Sequence, residues 1–126
     1  MKEVLAFIRP NRMNATKKAL ETAGITSLHA KECLGRGKGL VDFTVLKGAE
    51  LGYEEAISQL GSSQRLIPKR MISCVVPDKA VAKALGALIS ANHTGKAGDG
   101  KVFVLPVTES IRVRTGESGD AVLDEA

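Results

Sequence analysis

Aromatic residues are scarce in this sequence of 126 residues. Phenylalanine, tyrosine and tryptophan together make up 3% of it, and tryptophan is absent. Proteins that bind single-stranded nucleic acid stack its bases on aromatic rings, so this composition argues against a nucleic-acid partner. The formal net charge of +4 still permits contact with an anion.

Cysteine and histidine are also few, with two residues of each kind. Cys33, Cys74, His29 and His93 are isolated from one another, and none has a partner at the spacing of a metal-ligand pair. No nucleophile stands beside a base. We therefore expect no metal site and no enzyme activity, and we interpret the cysteines as small hydrophobic residues in a reducing compartment.

Long hydrophobic runs are missing as well. No apolar stretch reaches the 18 residues that indicate a membrane span, and the charged start of the chain is unlike a secretory signal. We expect a cytoplasmic protein without a membrane-spanning segment. A hydrophobic content of 44% predicts one domain with a substantial core.

The sequence predicts two successive copies of one structural unit, each a strand, a helix and a second strand. In the first unit, residues 2–9 predict a strand that ends at a proline. Residues 12–23 predict a helix that stops at Gly24. Alternating apolar residues at 25–34 then predict a second strand.

The second unit begins with a buried strand at 70–77, and Asp78 is predicted to be the N-cap of the helix that follows. A glycine-rich loop leads to a strand at 101–107 and a short alternating strand at 110–114. Two such units predict an α+β fold of the ferredoxin-like type, a double βαβ with an antiparallel sheet and helices on one face. The other face is left bare, which predicts oligomerisation.

The segment 35–68 has no sustained period and is long for a connection within a domain. Residues 53–60 predict a short helix inside it. We favour a loop that contacts another molecule, and an unstructured insertion is the alternative.

The stretch NHTGKAGDGKVFVLPV, residues 92–107, has the P-loop spacing G-x-x-x-x-G-K at Gly95, Gly100 and Lys101. A P-loop runs from a strand into a helix, and its lysine is followed by serine or threonine. Here the predicted order is helix, loop, strand. Val102 follows the lysine and is expected to be the first inward residue of the strand. The stretch is therefore not a P-loop.

The same loop suits an anion in another way. Gly95, Gly98 and Gly100 can adopt positive φ and turn successive amides towards a ligand, forming a nest. Lys96 and Lys101 add positive charge. A plain glycine-rich turn is the alternative.

Arg112 and Arg114 are two residues apart in the last predicted strand, so their side chains are expected on one face. Paired guanidinium groups suit a polyphosphate or carboxylates, although a solvated face would look the same. The glycine loop and the arginine pair together favour a phosphorylated ligand.

These residues resemble those of a known family. TGKAGDGKVFVLPV followed by IRVRTGE is similar to the C-terminal signature of the PII signal-transduction proteins, which are trimeric sensors of ATP, ADP and 2-oxoglutarate. The segments MKEVLAFIRPNRMNATKKALETAGI and LIPKRMISCVVPD also resemble PII segments. The resemblance implies one PII-like domain over residues 1–116, with a flexible T-loop at about 36–67. The acidic tail at 117–126 has little to bury and is expected to be mobile.

The resemblance also implies a site at the boundary between subunits of a trimer. The implied nucleotide contacts are His29, Gly35, Gly37, Lys38, Ser73, Val75, Gly98, Asp99, Gly100, Lys101, Arg112 and Arg114. The implied 2-oxoglutarate contacts are Gly37, Gly39 and Lys69, and the loop residues expected to touch a target are Leu51, Tyr53 and Arg65.

Two departures from the family pattern narrow the interpretation. The run GRGKG lacks the glutamine that helps family members hold magnesium and 2-oxoglutarate. The sequence therefore does not predict whether this protein binds either of these two ligands. The run LKGAEL has leucine at both tyrosine positions, which excludes uridylylation there. This altered, lengthened T-loop resembles the nitrogen-fixation-linked branch, whose members act as pairs of paralogues and inhibit nitrogenase.

The resemblance therefore implies a homotrimer, or a hetero-oligomer with a PII-like paralogue, that binds ATP or ADP and regulates nitrogenase. One alternative is a conventional PII regulator of an ammonium channel or a glutamine-pathway enzyme. Another is an enzyme that uses the glycine loop for phosphate transfer.

Overall fold

The computed structural model describes residues 1–37 and 65–123. The predicted helix at 53–60 lies outside them. No helix in the described part of the chain is long and apolar enough to cross a bilayer. The regular elements are the strands β1 (Lys2–Ile8), β2 (His29–Gly35), β3 (Ile67–Val76) and β4 (Lys101–Pro106), and the helices α1 (Met13–Thr22) and α2 (Val81–Asn92).

The chain divides into two units. One consists of Met1–Cys33 together with Lys69–Ala126, and the other is Leu34–Pro68. In the second unit the apolar side chains of Leu34 and Leu66 are exposed. The hydrophobic core and the glycine loop belong entirely to the first unit.

The four strands form one sheet in the order β2-β3-β1-β4. Strand β1 lies antiparallel to both β3 and β4, and Phe7 is paired with Met71 on one side and with Lys101 on the other. Each helix follows one of the two inner strands. This arrangement confirms the predicted α+β fold of the ferredoxin-like type.

One face of the sheet is covered by both helices. Every second side chain is buried from Val4 to Ile8 in β1 and from Ile72 to Val76 in β3, as expected for strands with one face against a core. Full burial of a large aliphatic side chain contributes about 1.5–3 kcal/mol, so this cluster supplies much of the folding free energy. The core residues are Val4, Ala6, Ile8, Leu20, Ile25, Ile72, Cys74, Val76, Ala80, Ala84 and Leu88.

Helix α1 stops at Gly24, as predicted. Gly24 has a φ of +86°, which favours glycine. Its N–H donates to the carbonyl of Glu21 at 3.0 Å, and the N–H of Ile25 donates to the carbonyl of Leu20 at 2.9 Å. These two bonds are those of a Schellman motif, and they satisfy carbonyls that the helix end would leave unpaired.

The start of α2 differs from the prediction. Asp78 is not an N-cap: a 3-10 turn, Asp78–Ala80, precedes the helix, and neither element has a side-chain capping bond. The carboxylate lies 3.0 Å from the α-ammonium group of Met1 and 3.6 Å from the ammonium group of Lys2. These contacts lower the pKa of Asp78, the hydrogen bond from the N-terminus most strongly. Two cations are stronger partners for a carboxylate than a backbone amide is.

Candidate functional site

The glycine loop connects the end of α2 to the start of β4, in the predicted order of helix, loop and strand. Gly95, Gly98 and Gly100 have φ angles of +83°, +97° and +106°, which confirms the predicted positive values. Val102 packs against the core, as expected of the first inward residue of the strand. The loop therefore has the backbone conformations that an anion-binding nest requires.

The loop lies directly against the end of β1. A Cβ atom on Gly100 would be 1.9 Å from the carbonyl oxygen of Phe7, which no side chain can accommodate. A Cβ atom on Gly98 would be 3.2 Å from Nη2 of Arg9. At Gly98 and Gly100, close contact with Arg9 and β1 therefore restricts the loop in addition to the positive φ angles.

The Asp99 carboxylate is surrounded by donors. Its Oδ1 accepts from Nη1 of Arg9 at 2.8 Å and from the Thr94 hydroxyl. Its Oδ2 accepts from the N–H groups of Thr94 at 2.8 Å and Gly95 at 3.0 Å, with Nδ1 of His93 at 3.9 Å. These bonds hold the pKa of Asp99 well below its usual range. The Thr94 hydroxyl has the largest effect, followed by the Thr94 amide and Arg9.

These hydrogen bonds bear on the expectation that Asp99 contacts the nucleotide. Its side chain binds amides of its own loop, and an anionic carboxylate repels phosphate, so the side chain itself is not suited to a phosphate group. The chain makes a hydrogen-bonded turn at residues 97–98, and the N–H group of Gly98 donates to no acceptor among residues 1–37 and 65–123. The half of the loop next to β4 therefore keeps a donor that a nest can offer to a ligand.

Four of the expected contact residues lie on the sheet face that the helices leave open. Strand alternation places Lys69, Ser73 and Val75 of β3 on this face, and Lys101 lies there at the start of β4, in the row that contains Phe7. The Ser73 hydroxyl donates to Oε2 of Glu3 at 2.6 Å. The structure thus brings three of the expected nucleotide contacts and the expected 2-oxoglutarate contact Lys69 to one face.

The remaining residues of the predicted site fall elsewhere. His29 is exposed at the start of β2, which neighbours β3 in the sheet. Gly35, Gly37 and the exposed Arg65 belong to the unit Leu34–Pro68. Four further residues lie outside the described part of the chain: Lys38, Gly39, Leu51 and Tyr53.

The strand predicted at 110–114 is wrong. Residues 113–115 form a turn in which the N–H of Gly116 donates to the carbonyl of Arg112 at 2.7 Å. One isolated bridge joins Ile111 to Ser118. Alternating apolar residues also fit the arms of a short hairpin, and Gly116, with a φ of +76°, allows the chain to reverse.

This turn contradicts the expectation that the two arginine side chains lie on one face of a strand. Because the chain reverses, Arg112 and Arg114 do not share one face of a regular strand. The Arg112 guanidinium lies 3.0 Å from Oε1 of Glu117, and Arg114 is exposed on the turn. In the described ranges, neither side chain makes a hydrogen bond or an ion pair with the glycine loop of its own chain.

Sequence reasoning missed two arginines that flank Pro10. Nη2 of Arg9 donates to the carbonyl of Ala97 at 3.0 Å, and Nε of Arg12 donates to the carbonyl of Ala91 at 2.9 Å. Both contacts span more than 75 residues of sequence, so no local pattern predicts them. The one available signal was the position of Asp99 between two glycines, since a short carboxylate readily binds nearby amides.

A cleft of about 240 Å³ opens beside the loop, between the end of α2 and strands β1 and β4. Asp99, Gly100 and Lys101 contribute to its wall. Over the described ranges no group of three or more His, Cys, Asp or Glu side chains is placed to hold a metal ion. The rest of the cleft is lined largely by apolar residues, among them Ile8 and Leu88.

Comparison with known proteins gives the family. Residues 1–117 match the model of the family "Nitrogen regulatory protein P-II". The "Nitrogen fixation nifHD region GlnB-like protein 2" of Methanobacterium ivanovii is 44% identical, with 98% of this chain and all of the relative covered. The "Nitrogen regulatory protein P-II" of Azospirillum brasilense is 37% identical, with coverages of 97% and 100%.

A solved structure shows the same fold. The crystal structure of Arabidopsis thaliana PII bound to citrate is similar with a TM-score of 0.73 and 27% identity, over 99% of this chain and 91% of that one. Sequence and structure agree with the resemblance seen in the C-terminal signature. The chain therefore belongs to the nitrogen regulatory protein P-II family, in its nitrogen-fixation-linked branch.

Proposed function

We propose that this protein is a PII-type nitrogen sensor that binds ATP or ADP between the subunits of a trimer and regulates a target through residues 36–67. The observation that carries the proposal is the position of the glycine loop. The Gly98 amide, which donates to no acceptor in the described ranges, lies three residues before Lys101, and Lys101 lies on the open sheet face with Ser73 and Val75.

The chemistry of this region fits a nucleotide with several phosphates. Backbone amides and the Lys101 ammonium group are the usual partners of phosphate oxygens. Val75 and Ser73 on the open face offer an apolar surface and a hydroxyl for the base. A small anion such as inorganic phosphate would use the loop but leave this surface unused.

The open sheet face supports assembly into a trimer. Phe103 and Leu105 of β4 are 49% and 38% exposed, and the rings of Phe7 and Phe103 meet edge to face with centroids 6.1 Å apart. A contiguous apolar face of this kind is typical of a protein interface. We propose that neighbouring copies cover it, and that Arg112 and Arg114 of a neighbour complete the nucleotide site.

The names of the relatives support a target in nitrogen fixation. The similar proteins of Methanobacterium ivanovii and Methanothermococcus thermolithotrophicus are named for the nifHD region of nitrogen fixation, and we propose nitrogenase as the target. We also propose 2-oxoglutarate as a second effector, with Lys69 as a carboxylate partner. Such a sensor works only if its ligands bind the two loop states with different affinity.

Calorimetry with ATP, ADP and 2-oxoglutarate tests the proposal. We expect ATP or ADP to bind to the purified protein, and we expect Arg112→Ala together with Arg114→Ala to weaken binding, at about 1.5–3 kcal/mol for each charge-assisted contact. The double variant Lys18→Ala and Lys83→Ala, which removes the same charge from exposed helix positions, is the matched control. Absence of nucleotide binding at millimolar concentration would overturn the proposal.

The target is tested separately. Affinity capture from cells grown with and without ammonium should recover nitrogenase components with this protein. Recovery of an ammonium channel or a glutamine-pathway enzyme instead would assign the protein to conventional PII regulation.

A further inference from the structure

We propose that Arg9 and Asp99 are positioning residues that hold the glycine loop in the form that accepts phosphate. This inference rests on the proposed function and names two residues that control the same site. Neither side chain is assigned a contact with the nucleotide.

The guanidinium group of Arg9 bridges two points of the loop. Its Nη1 donates to Oδ1 of Asp99 at 2.8 Å, and its Nη2 donates to the carbonyl of Ala97 at 3.0 Å. The Arg9 and Asp99 side chains are 27% and 23% exposed, so both are largely shielded from solvent. A planar fork holds two acceptors at a fixed separation, which fixes the turn around Gly98.

Asp99 divides the amides of the loop into two groups. It takes the N–H groups of Thr94 and Gly95, next to α2. The N–H group of Gly98, next to β4, has no acceptor within residues 1–37 and 65–123. If the carboxylate moved away, the amides of Thr94 and Gly95 would lose their acceptor, and the loop would lose the hydrogen bonds that hold its conformation.

Arg9 also balances a charge that would oppose the ligand. The Asp99 carboxylate stands next to the Gly98 amide that we assign to phosphate, and on its own it would repel that group. An arginine at 2.8 Å forms a neutral pair with it, and Nδ1 of His93 is the other nitrogen base nearby, at 3.9 Å. The cost of removing Arg9 should therefore increase with the negative charge of the ligand.

A graded ligand series tests this dependence. With ATP, ADP and AMP as probes in calorimetry, Arg9→Met should weaken ATP binding by about tenfold or more and AMP binding by less. Arg9→Lys keeps the charge but loses the fork, so its ATP affinity should lie between those of wild type and Arg9→Met. Lys18→Met removes the same charge from an exposed position on α1 and should leave all three affinities unchanged.

A second readout needs no ligand. In the free protein, exchange of the amide protons of Thr94 and Gly95 with deuterium should be slow in wild type and in Lys18→Met, and faster in Arg9→Met, while the core strands keep their protection. Arg9→Met with unchanged exchange at these amides, or with wild-type affinity for ATP, would overturn the inference. Wild-type protein that shows slow exchange but binds no ATP would overturn the proposed function and leave the bridge between Arg9 and the loop standing.

Discussion

At the scale of single residues, Gly100 shows how a chain position can be restricted twice. Its φ of +106° disfavours any residue with a side chain, and the carbonyl oxygen of Phe7 occupies the space where a Cβ atom would lie. A positive φ costs about 1–2 kcal/mol for a residue that has a side chain. The second restriction requires β1 and the loop to separate.

We therefore expect Gly100→Ala to lower the free energy of unfolding by about 3 kcal/mol or more. Gly95→Ala is the matched control, because Gly95 has a similar φ of +83° but no atom within 4 Å of its Cβ position, and it should cost about 1 kcal/mol. Urea unfolding of both variants measures the difference. Equal losses would show that contact with Phe7 does not restrict the loop.

Asp99 makes the stability of the protein depend on pH in the acid range. Donors from Thr94 and Arg9 keep its pKa in the folded protein below the ordinary value of 3.8. A carboxyl group with a lowered folded pKa stabilises the fold at all pH values above its unfolded pKa, and this contribution is lost as the pH falls towards the folded value.

Asp99→Asn should accordingly be less stable than wild type at pH 7, and the difference should shrink as the pH falls below about 4. Urea unfolding at a series of pH values measures it. A difference that stays constant down to the lowest pH at which wild type is folded would show that the charge on Asp99 does not stabilise the loop.

At the scale of elements, the two helices are joined by polar groups inside the core. The Thr16 hydroxyl is fully buried and donates to the carbonyl of Arg12 at 2.7 Å. It accepts from Nδ2 of Asn92 at 2.9 Å, and that group also donates to the carbonyl of Leu88. A buried hydroxyl with two partners ties α1 to the end of α2, directly before the glycine loop.

Thr16→Val keeps the volume of the side chain and removes both hydrogen bonds, so it should lower the free energy of unfolding by about 1–2 kcal/mol. Thr22→Val is a suitable control in the same helix. The Thr22 hydroxyl makes the same type of bond, to the carbonyl of Lys18 at 2.9 Å, but it is exposed. Thermal unfolding that shows equal losses for the two variants would contradict the role of burial.

Elements were predictable where their signal is local. Runs of apolar residues that end at a proline predicted β1 and β3, and Gly24 predicted the end of α1. Both signals are local, because a strand's burial and a helix end with positive φ depend on the residues at those positions themselves. The strand predicted at 110–114 failed because alternating apolar residues also fit a hairpin. The N-cap predicted at Asp78 failed because its partner is the N-terminus, which is close only in the folded chain.

The same reasoning explains which parts of the site were foreseen. The glycine conformations were predicted, since only glycine tolerates them. The bond between Arg9 and Asp99 spans 90 positions and depends on how α2 packs against β1, so no stretch of sequence contains it. Resemblance to the family supplied the expected nucleotide contacts, and the fold then placed Lys69 and Lys101 on one face.

At the scale of the whole molecule, the exposed sheet face should decide the oligomeric state. Phe103→Glu places a charge on the apolar part of this face, on the edge strand β4, and should convert the proposed trimers to monomers in sedimentation experiments, because an unpaired charge in an apolar interface is costly. Ile89→Glu, at a residue of α2 that is 59% exposed, is the control and should leave the trimer intact. A Phe103→Glu protein that remains trimeric would show that subunits associate through another surface.

The central claim is that the glycine loop of one subunit and the arginines of another form a single nucleotide site. Lys101→Ala should impair every site of a homotrimer, and so should Arg112→Ala combined with Arg114→Ala. When the two variants are unfolded and refolded together, some subunit boundaries combine an intact loop with intact arginines.

The most direct measurement is therefore ATP binding by the mixed trimers, compared with each variant alone. The account predicts that mixing restores a fraction of sites with wild-type affinity. Mixed trimers that bind no better than the separate variants, while wild type binds ATP, would contradict a site shared between subunits.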